Sequence, residues 1–333
     1  MSTSTMPLKA PDLSDNRVMR VVAGLRPCRQ GGLRLAGESI GGKRIVHHYG
    51  HGGSGITSAF GSSIVAADLA QESLSSDRTV AVLGGGIAGL TAARELVSRG
   101  YTTKIYAERF GIDTLSNLAG ALWLPTGINL DTPEIGLNRF NTILRDAREK
   151  LALLDPKKYG IEILPVYEPA YAPIEHRFFE HTSLTPPRSI DRLPFPGPPR
   201  AGKVFETLFI HTPKLLDALL ADLKGSGVEF VERSFGSIDD VLALDEPTIV
   251  NSLALGSRTI FGDDSMFPAK GVLVHVEPQD LGYCAHDGYK YMFPRSDALV
   301  LGGCFIEDEW DDTPDESIAR EILSHHRRFF GLI

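Results

Sequence analysis

Between positions 79 and 89 the chain reads Thr79-Val-Ala-Val-Leu-Gly-Gly-Gly-Ile-Ala-Gly89. This is the order strand, tight turn, helix. The spacing Gly84-x-Gly86-x-x-Gly89 lets a backbone reverse sharply and approach a pyrophosphate. The helix that follows turns unpaired N–H groups and a positive dipole end toward the same point. Its stripe of Leu90, Ala93, Leu96 and Val97 predicts a helix over 87–99, and Gly100 stops it. Lys104–Tyr106 resumes the sheet. Glu108, 24 positions after Gly84, stands where a carboxylate accepts hydrogen bonds from ribose hydroxyls. A βαβ unit of this kind demands a parallel sheet. The fingerprint alone does not separate FAD from NAD.

Such a unit commonly opens a chain. Here a second glycine-rich cluster precedes it, His47-His-Tyr-Gly-His-Gly-Gly-Ser-Gly-Ile-Thr57. A simple NAD-dependent dehydrogenase has no need of that second cluster. Strands are expected at 18–22 and 44–48, with a small-residue helix over 56–70. Residues 1–16 read as a flexible tail and 71–78 as a polar linker. Ten of the 21 prolines fall from Pro156 to Pro199, a density that predicts irregular loops and edge strands around a site. Beyond it, Thr212-Pro213 opens a leucine-striped helix. Strands follow at 228–231, 248–251, 271–276, 291–293 and 298–301, and a last helix spans 316–330.

Composition narrows the function classes. At 333 residues the chain can bury a core of one or two domains. A net charge of −8 argues against nucleic acid or an anionic membrane as the main partner. Cys28, Cys284 and Cys304 lack metal-ligand or redox-pair spacing, so no metal is expected and the thiols read as free in a reducing compartment. No apolar run reaches the ~20 residues of a membrane span, and neither end carries a targeting signal. The expected location is the cytoplasm.

Leu115-Ser-Asn-Leu-Ala-Gly-Ala-Leu-Trp-Leu-Pro125 places small residues where a flat ring can lie against backbone. With the fingerprint and Ile105-Tyr-Ala-Glu108, it makes the chain resemble the D-amino-acid oxidase family of flavoenzymes. Tyr291-Met-Phe-Pro-Arg-Ser296 and Val300-Leu-Gly-Gly303 are similar to that family's later strands. The family's closing segments, Gly-Leu/Phe-Arg-Pro-x-Arg and Asn/His-Tyr-Gly-His-Gly-Gly, stand here at the front, as Gly24–Arg29 and His48–Gly53. The resemblance thus covers about 18–70 and 79–331 in circularly permuted order. It implies an α/β fold, with a Rossmann-like FAD-binding domain on a parallel sheet and a mixed-sheet α+β substrate domain. The boundaries it implies are 17–70 for the permuted segment, 79–130 with 228–262 for the FAD-binding domain, 131–227 with 263–314 for the substrate domain, and 315–333 for a final helix.

The same resemblance implies roles. Arg26 grips the substrate carboxylate and Tyr291 contacts the substrate, with Arg29 and Arg34 as structural partners nearby. Gly52, Gly53, Ser54, Gly55, Ile56 and Thr57 cover the flavin ring, and backbone N–H groups there, Gly53 among them, face its negative charge. Gly84, Gly86, Ile87, Ala88, Gly89 and Glu108 hold the dinucleotide, with Ser116, Asn117, Ala119, Gly120, Ala121 and Leu122 beside the ring and Phe235 near the adenine. Two positions depart from the family. Asp287 stands in place of a second active-site tyrosine, facing either the substrate or solvent, and Tyr283 and Tyr289 are near enough to substitute. Asn251-Ser-Leu-Ala-Leu-Gly256 replaces a more glycine-rich turn, Asn-Cys-Thr-Gly-x-Gly.

The implied activity is FAD-dependent oxidation of D-amino acids. Hydride passes from the α carbon to flavin N5, oxygen is the electron acceptor, and a 2-oxo acid, ammonia and hydrogen peroxide leave. An amino acid or amine is the partner, and a homodimer is compatible. The open alternatives are a flavin dehydrogenase, an oxidase of glycine, sarcosine or another secondary amine, and a flavin-binding protein without turnover.

Overall fold

Val80, Ala81, Val82 and Leu83 are buried on both faces, as a central parallel strand requires. In the computed structural model, which describes residues 7–73, 75–128, 135–172, 185–287 and 289–333, they form the heart of a six-stranded sheet. From edge to edge it runs Arg34–Ile40, Lys43–Tyr49, Thr248–Asn251, Thr79–Gly85, Thr102–Phe110 and Glu229–Glu232. All neighbours are parallel except the first pair, a hairpin. The strand that continues the sheet past Thr248–Asn251 therefore comes from the front of the chain.

Gly55–Gln71 forms the expected small-residue helix, buried on nearly every side. Its Ser63 hydroxyl donates to Thr91 of the fingerprint helix Ile87–Ser98 at 2.8 Å. At Gly61 a Cβ would collide with the Ile143 carbonyl of helix Leu137–Ala152. Glycine there is what lets that third helix approach. This helix was not anticipated, although Phe140, Ile143, Leu144, Ala147 and Leu151 form a buried stripe at helical spacing.

A second, nine-stranded sheet stands beside the first. Its order is Val18–Arg29, Met266–Val276, Leu299–Gly302, Tyr291–Pro294, Cys284–His286, Ile161–Pro169, Gly202–Ile210 and Arg188–Ile190, with Ile306–Glu307 paired to Met266–Val276. Val18–Arg29 pairs antiparallel along its whole length, from Val276 to Met266. Among the described residues, the only parallel neighbours in this sheet are Cys284–His286 and Ile161–Pro169.

Two expectations are corrected here. Ile161–Pro169, inside the proline-dense stretch, is an interior strand and not an irregular edge. It pairs fully with Gly202–Ile210, and pairing on its other side starts at Val166. The N–H that Pro165 lacks is therefore not needed on that side. The expected loose tail is also packed over its described part, residues 7–16, while 1–6 lie outside the described residues. Leu13 is 2% exposed. Leu8 N–H donates to Pro194 O at 2.7 Å, Tyr283 donates to Lys9 O at 2.7 Å, and Arg327 of the last helix donates to Leu13 O and pairs with Asp15. That helix, Glu316–Phe329, is capped by Asp315, which accepts from the Ser317 and Ile318 N–H groups.

Candidate active site

The two sheets flank one cleft of about 1020 Å³. Its first end is the glycine fingerprint. Gly84 has φ +114°, and a Cβ there would collide with Ser252 O. Gly89 packs so closely beneath the turn that a Cβ would collide with Gly84 O. Gly86 caps the helix with no side chain of its own, and a Cβ on it would stand 2.9 Å from Ser116 Oγ. Ile87 N–H donates to that hydroxyl at 3.0 Å, and Ala88 and Gly89 line the cleft behind it. A bare glycine cap on a helix start aimed into an open cleft fits a pyrophosphate. Glu108 is exposed on the wall and makes no ion pair among the described residues. Phe235 lies beside it, edge-on to Tyr106 and under the guanidinium of Arg233.

The middle of the cleft is built by the front segment. Gly52 has φ +54°, and the Ser54 hydroxyl donates to Thr126 O and accepts from Thr126 N–H, both at 2.8 Å. The helix beginning at Gly55 thus opens beside Ile87, so two helix N-termini face one space, which Gly55, Ile56 and Thr57 line. Opposite them, Ala119–Leu122 run as backbone against the ring of Phe293, which a Cβ on Gly120 would meet at 2.5 Å. Ala121 holds φ +65°.

Below this loop sit two buried histidines. His48 Nδ1 meets Ser252 Oγ at 3.2 Å and its Nε2 meets Ser62 Oγ at 2.8 Å, while His51 Nε2 meets the same hydroxyl at 3.0 Å. Burial holds His48 neutral, well below the usual imidazole range, and pulls His51 down to about 4. His48 thereby joins the front segment to the turn Ser252–Gly256, where Ala254 has φ +54°. No role for these histidines is legible in the sequence, although they lie inside its first glycine-rich cluster.

The far end of the cleft lies on the nine-stranded sheet. The Arg26 guanidinium lies flat over Gly271, where a Cβ would stand 2.5 Å from Nη1. The Tyr291 ring lies over Gly302 and stacks on Phe293 at 4.5 Å. Arg26 Nη1 donates to Cys304 O at 3.2 Å, and Phe305 stands 5.7 Å from its guanidinium. Burial raises the Tyr291 hydroxyl above its usual range, and neighbouring Arg26 works against that rise. An arginine fork and a phenol, both half-buried, can grip and orient a small carboxylate.

Four expected site residues need correction. Asp287 does not line the cleft. It pairs with His325 at 2.7 Å and accepts the N–H groups of Tyr289 and Lys290. Burial pushes its carboxyl up, but these bonds outweigh it and bring it down to about 2. Ser54 is fully buried by its Thr126 bonds. Asn117 turns away from the cleft: its carbonyl accepts from Arg295 and Thr212. Gly53 lines the cleft, but its N–H is donated to Gly127 O at 3.3 Å. Of the two alternates to Asp287, Tyr289 reaches the cleft and Tyr283 is buried in the core behind it. Arg29 and Arg34 both pair with Asp263, which also accepts from Tyr49.

Residues 79–332 match the DAO family, FAD dependent oxidoreductases. A D-amino-acid oxidase of Streptomyces coelicolor is 29% identical over 254 residues, covering 74% of this chain and 76% of that protein. A D-aspartate oxidase of Homo sapiens is 28% identical over 261 residues, covering 74% of each. In fold, the chain is similar to a glycine oxidase from Bacillus cereus, with a TM-score of 0.53 and 18% identity over 75% of this chain and 77% of that one. An iminodiacetate oxidase from Chelativorans gives the same TM-score at 15% identity, over 76% and 79%.

Proposed function

Because the chain belongs to the DAO family of FAD-dependent oxidoreductases, we propose that it oxidises D-amino acids, consuming oxygen and water and releasing a 2-oxo acid, ammonia and hydrogen peroxide. One observation carries this reading: Arg26 and Tyr291 share a single cleft with the Gly84–Gly89 cradle. FAD, when bound, supplies the acceptor for the hydrogen and electron pair leaving the α carbon. The chain's own part is to bind and align. Gly86–Gly89 hold the pyrophosphate and Glu108 the ribose. The helix start at Gly55–Thr57 places positive dipole beside the ring. Arg26 holds the substrate carboxylate through two N–H groups, and the Tyr291 hydroxyl fixes the angle at which the α carbon is presented.

Chain order belongs to the same proposal. Residues 17–70 take the part of the family's closing segment, moved to the front. The contacts of Arg327 with Leu13 and Asp15 put the last helix beside the entry to Val18–Arg29. Arg99 pairs with Asp68 at 2.7 Å, so the helix before the linker lies against the fingerprint helix after it. Gln71–Asp77, seven residues, bridges at most about 25 Å.

The test is anaerobic mixing of the FAD-loaded protein with matched D- and L-amino acids. D-isomers bleach the flavin and L-isomers do not. Bleaching by glycine or sarcosine alone would move the activity to those amines. Arg26→Ala lowers kcat/KM for carboxylate substrates about a hundred- to a thousandfold and leaves FAD bound. Loss of FAD with substrate affinity intact would remove Arg26 from its assigned role.

A further inference from the structure

We propose that Arg295, braced by Asp297, is a positioning residue: it fixes the loop 117–121 against the strand that carries Tyr291, and so sets the gap between substrate and flavin ring; this rests on the D-amino-acid reading above. Side chains alternate along Tyr291–Pro294, so Tyr291, Phe293 and Arg295 share one face. All three meet the loop. A Cβ on Gly120 would stand 3.2 Å from the Tyr291 ring and 2.5 Å from the Phe293 ring. Arg295, one step beyond the strand, reaches the loop's backbone: its Nη1 donates to Asn117 O at 2.5 Å and to Ala119 O at 3.0 Å. Thr212 shares Asn117 O, but Ala119 O has no other donor among the described residues. The peptide that carries Ala119 O is trans and planar, so the Gly120 N–H points away from Arg295. That N–H has no acceptor among the described residues, and Gly120 lines the cleft. Losing the guanidinium frees this peptide to rotate, and the donor with it.

Asp297 holds the other end of the fork. Arg295 is 1% exposed, and its Nε and Nη2 donate to the two Asp297 oxygens at 2.9 and 2.6 Å. A planar guanidinium gripped on both sides has one orientation. Burial pushes the Asp297 carboxyl up, but Arg295 outweighs it and holds it below the usual carboxylate range. Neighbouring His275 adds no charge: burial first, then Arg295 and Arg20, bring it down to about 4. Arg295 itself stays out of the cleft lining. Its influence on the reaction therefore passes through the loop. A displacement of about 1 Å between reacting groups costs about a hundredfold in rate.

The experiment removes the ion pair as a unit, so that no buried charge is left unpaired. In the double variant Arg295→Met with Asp297→Asn the Tm stays within a few degrees of the original. FAD nevertheless leaves the diluted holoenzyme about tenfold faster, and reduction of the bound flavin at saturating D-amino acid slows about ten- to a hundredfold. The substrate concentration giving half the maximal reduction rate, set by Arg26, stays within about twofold. Arg295→Lys keeps the charge, loses the fork and shows the same kinetic loss; if the double variant does not fold, it decides by the same readouts. A lowered Tm with unaltered FAD release and reduction rate makes the pair a merely structural one and overturns the proposal. So does a Lys variant with the original rates, or a half-saturating concentration that rises while the rate holds. Failure of every D-amino acid to bleach the flavin overturns the underlying reading instead, and the rate of FAD release still decides the role of Arg295.

Discussion

Residues 79–332 match a family and residues 18–71 lie outside that match, yet the cleft takes a wall from each. The matched region brings the fingerprint, Tyr291 and Glu108. The front region brings Arg26, the buried histidines and the helix start at Gly55. Sequence matching follows chain order, whereas packing follows proximity, so residues outside the match can still build a wall of the same cleft. Strand pairing and one shared apolar core join the two regions, and a buried polar junction adds to them. Asp263 receives Arg29, Arg34 and Tyr49, and Ser252 receives His48.

Breaking that junction has the largest effect. Burial pushes the Asp263 carboxyl up, but hydrogen bonds from Arg29 and Tyr49 outweigh it and hold it well below the usual carboxylate range. Asp263→Asn keeps the volume and removes the buried carboxylate that Arg29, Arg34 and Tyr49 share, costing about 3–5 kcal/mol in urea unfolding. The pH dependence follows in sign. The folded carboxyl titrates below its unfolded value of 3.8. Its contribution is therefore full above about pH 4 and drains as pH falls further. The Asn variant shows a flatter acid limb. An unchanged urea midpoint would mean that strand pairing and apolar packing join the regions without help from this carboxylate.

A smaller effect sharpens the comparison on the matched side. Ala254 holds φ +54° in the turn where the family places glycine. Ala254→Gly relieves that backbone and stabilises the protein by about 1 kcal/mol, seen as a rise in Tm of a few degrees. A fall in Tm would show the methyl group to be a packing element of the turn. The smallest effect is expected from the largest rearrangement. A chain that begins at Arg78 and carries residues 7–77 after Ile333 keeps FAD binding and turnover, with a Tm within a few degrees of the original. A relinked chain that neither folds nor takes up FAD would mean that the present order is itself required.

The glycine clusters were legible in the sequence because a backbone that must turn or approach closely admits few residues. Thr248–Asn251 and the fingerprint helix were legible from apolar runs and periodicity. The wall at His286 was not, because its partner Glu168 is 118 residues away and only sheet register brings the two together. The same register explains why Asp287 misses the cleft: strand alternation assigns the inward place opposite Tyr291 to its neighbour. Asn117 and Ser54 sit within well-read motifs. Their side chains turn to Thr212 and Thr126, partners that no local pattern announces. Helix Leu137–Ala152 did leave a signal, its apolar stripe.

The pairing of Arg26 with Ala269 has a consequence for how the protein is made. The two positions are about 240 residues apart, and ribosomes add roughly 5–20 residues per second. The strand that carries Arg26 therefore emerges roughly 12–50 s before the strand it pairs with. The hairpin Arg34–Tyr49 waits in the same way for Thr248–Asn251. Through that interval the nascent chain exposes an unpaired sheet edge. Nascent-chain yield in the cell should therefore depend on chaperone supply more steeply than that of the relinked chain, in which the same strand is synthesised after its partner.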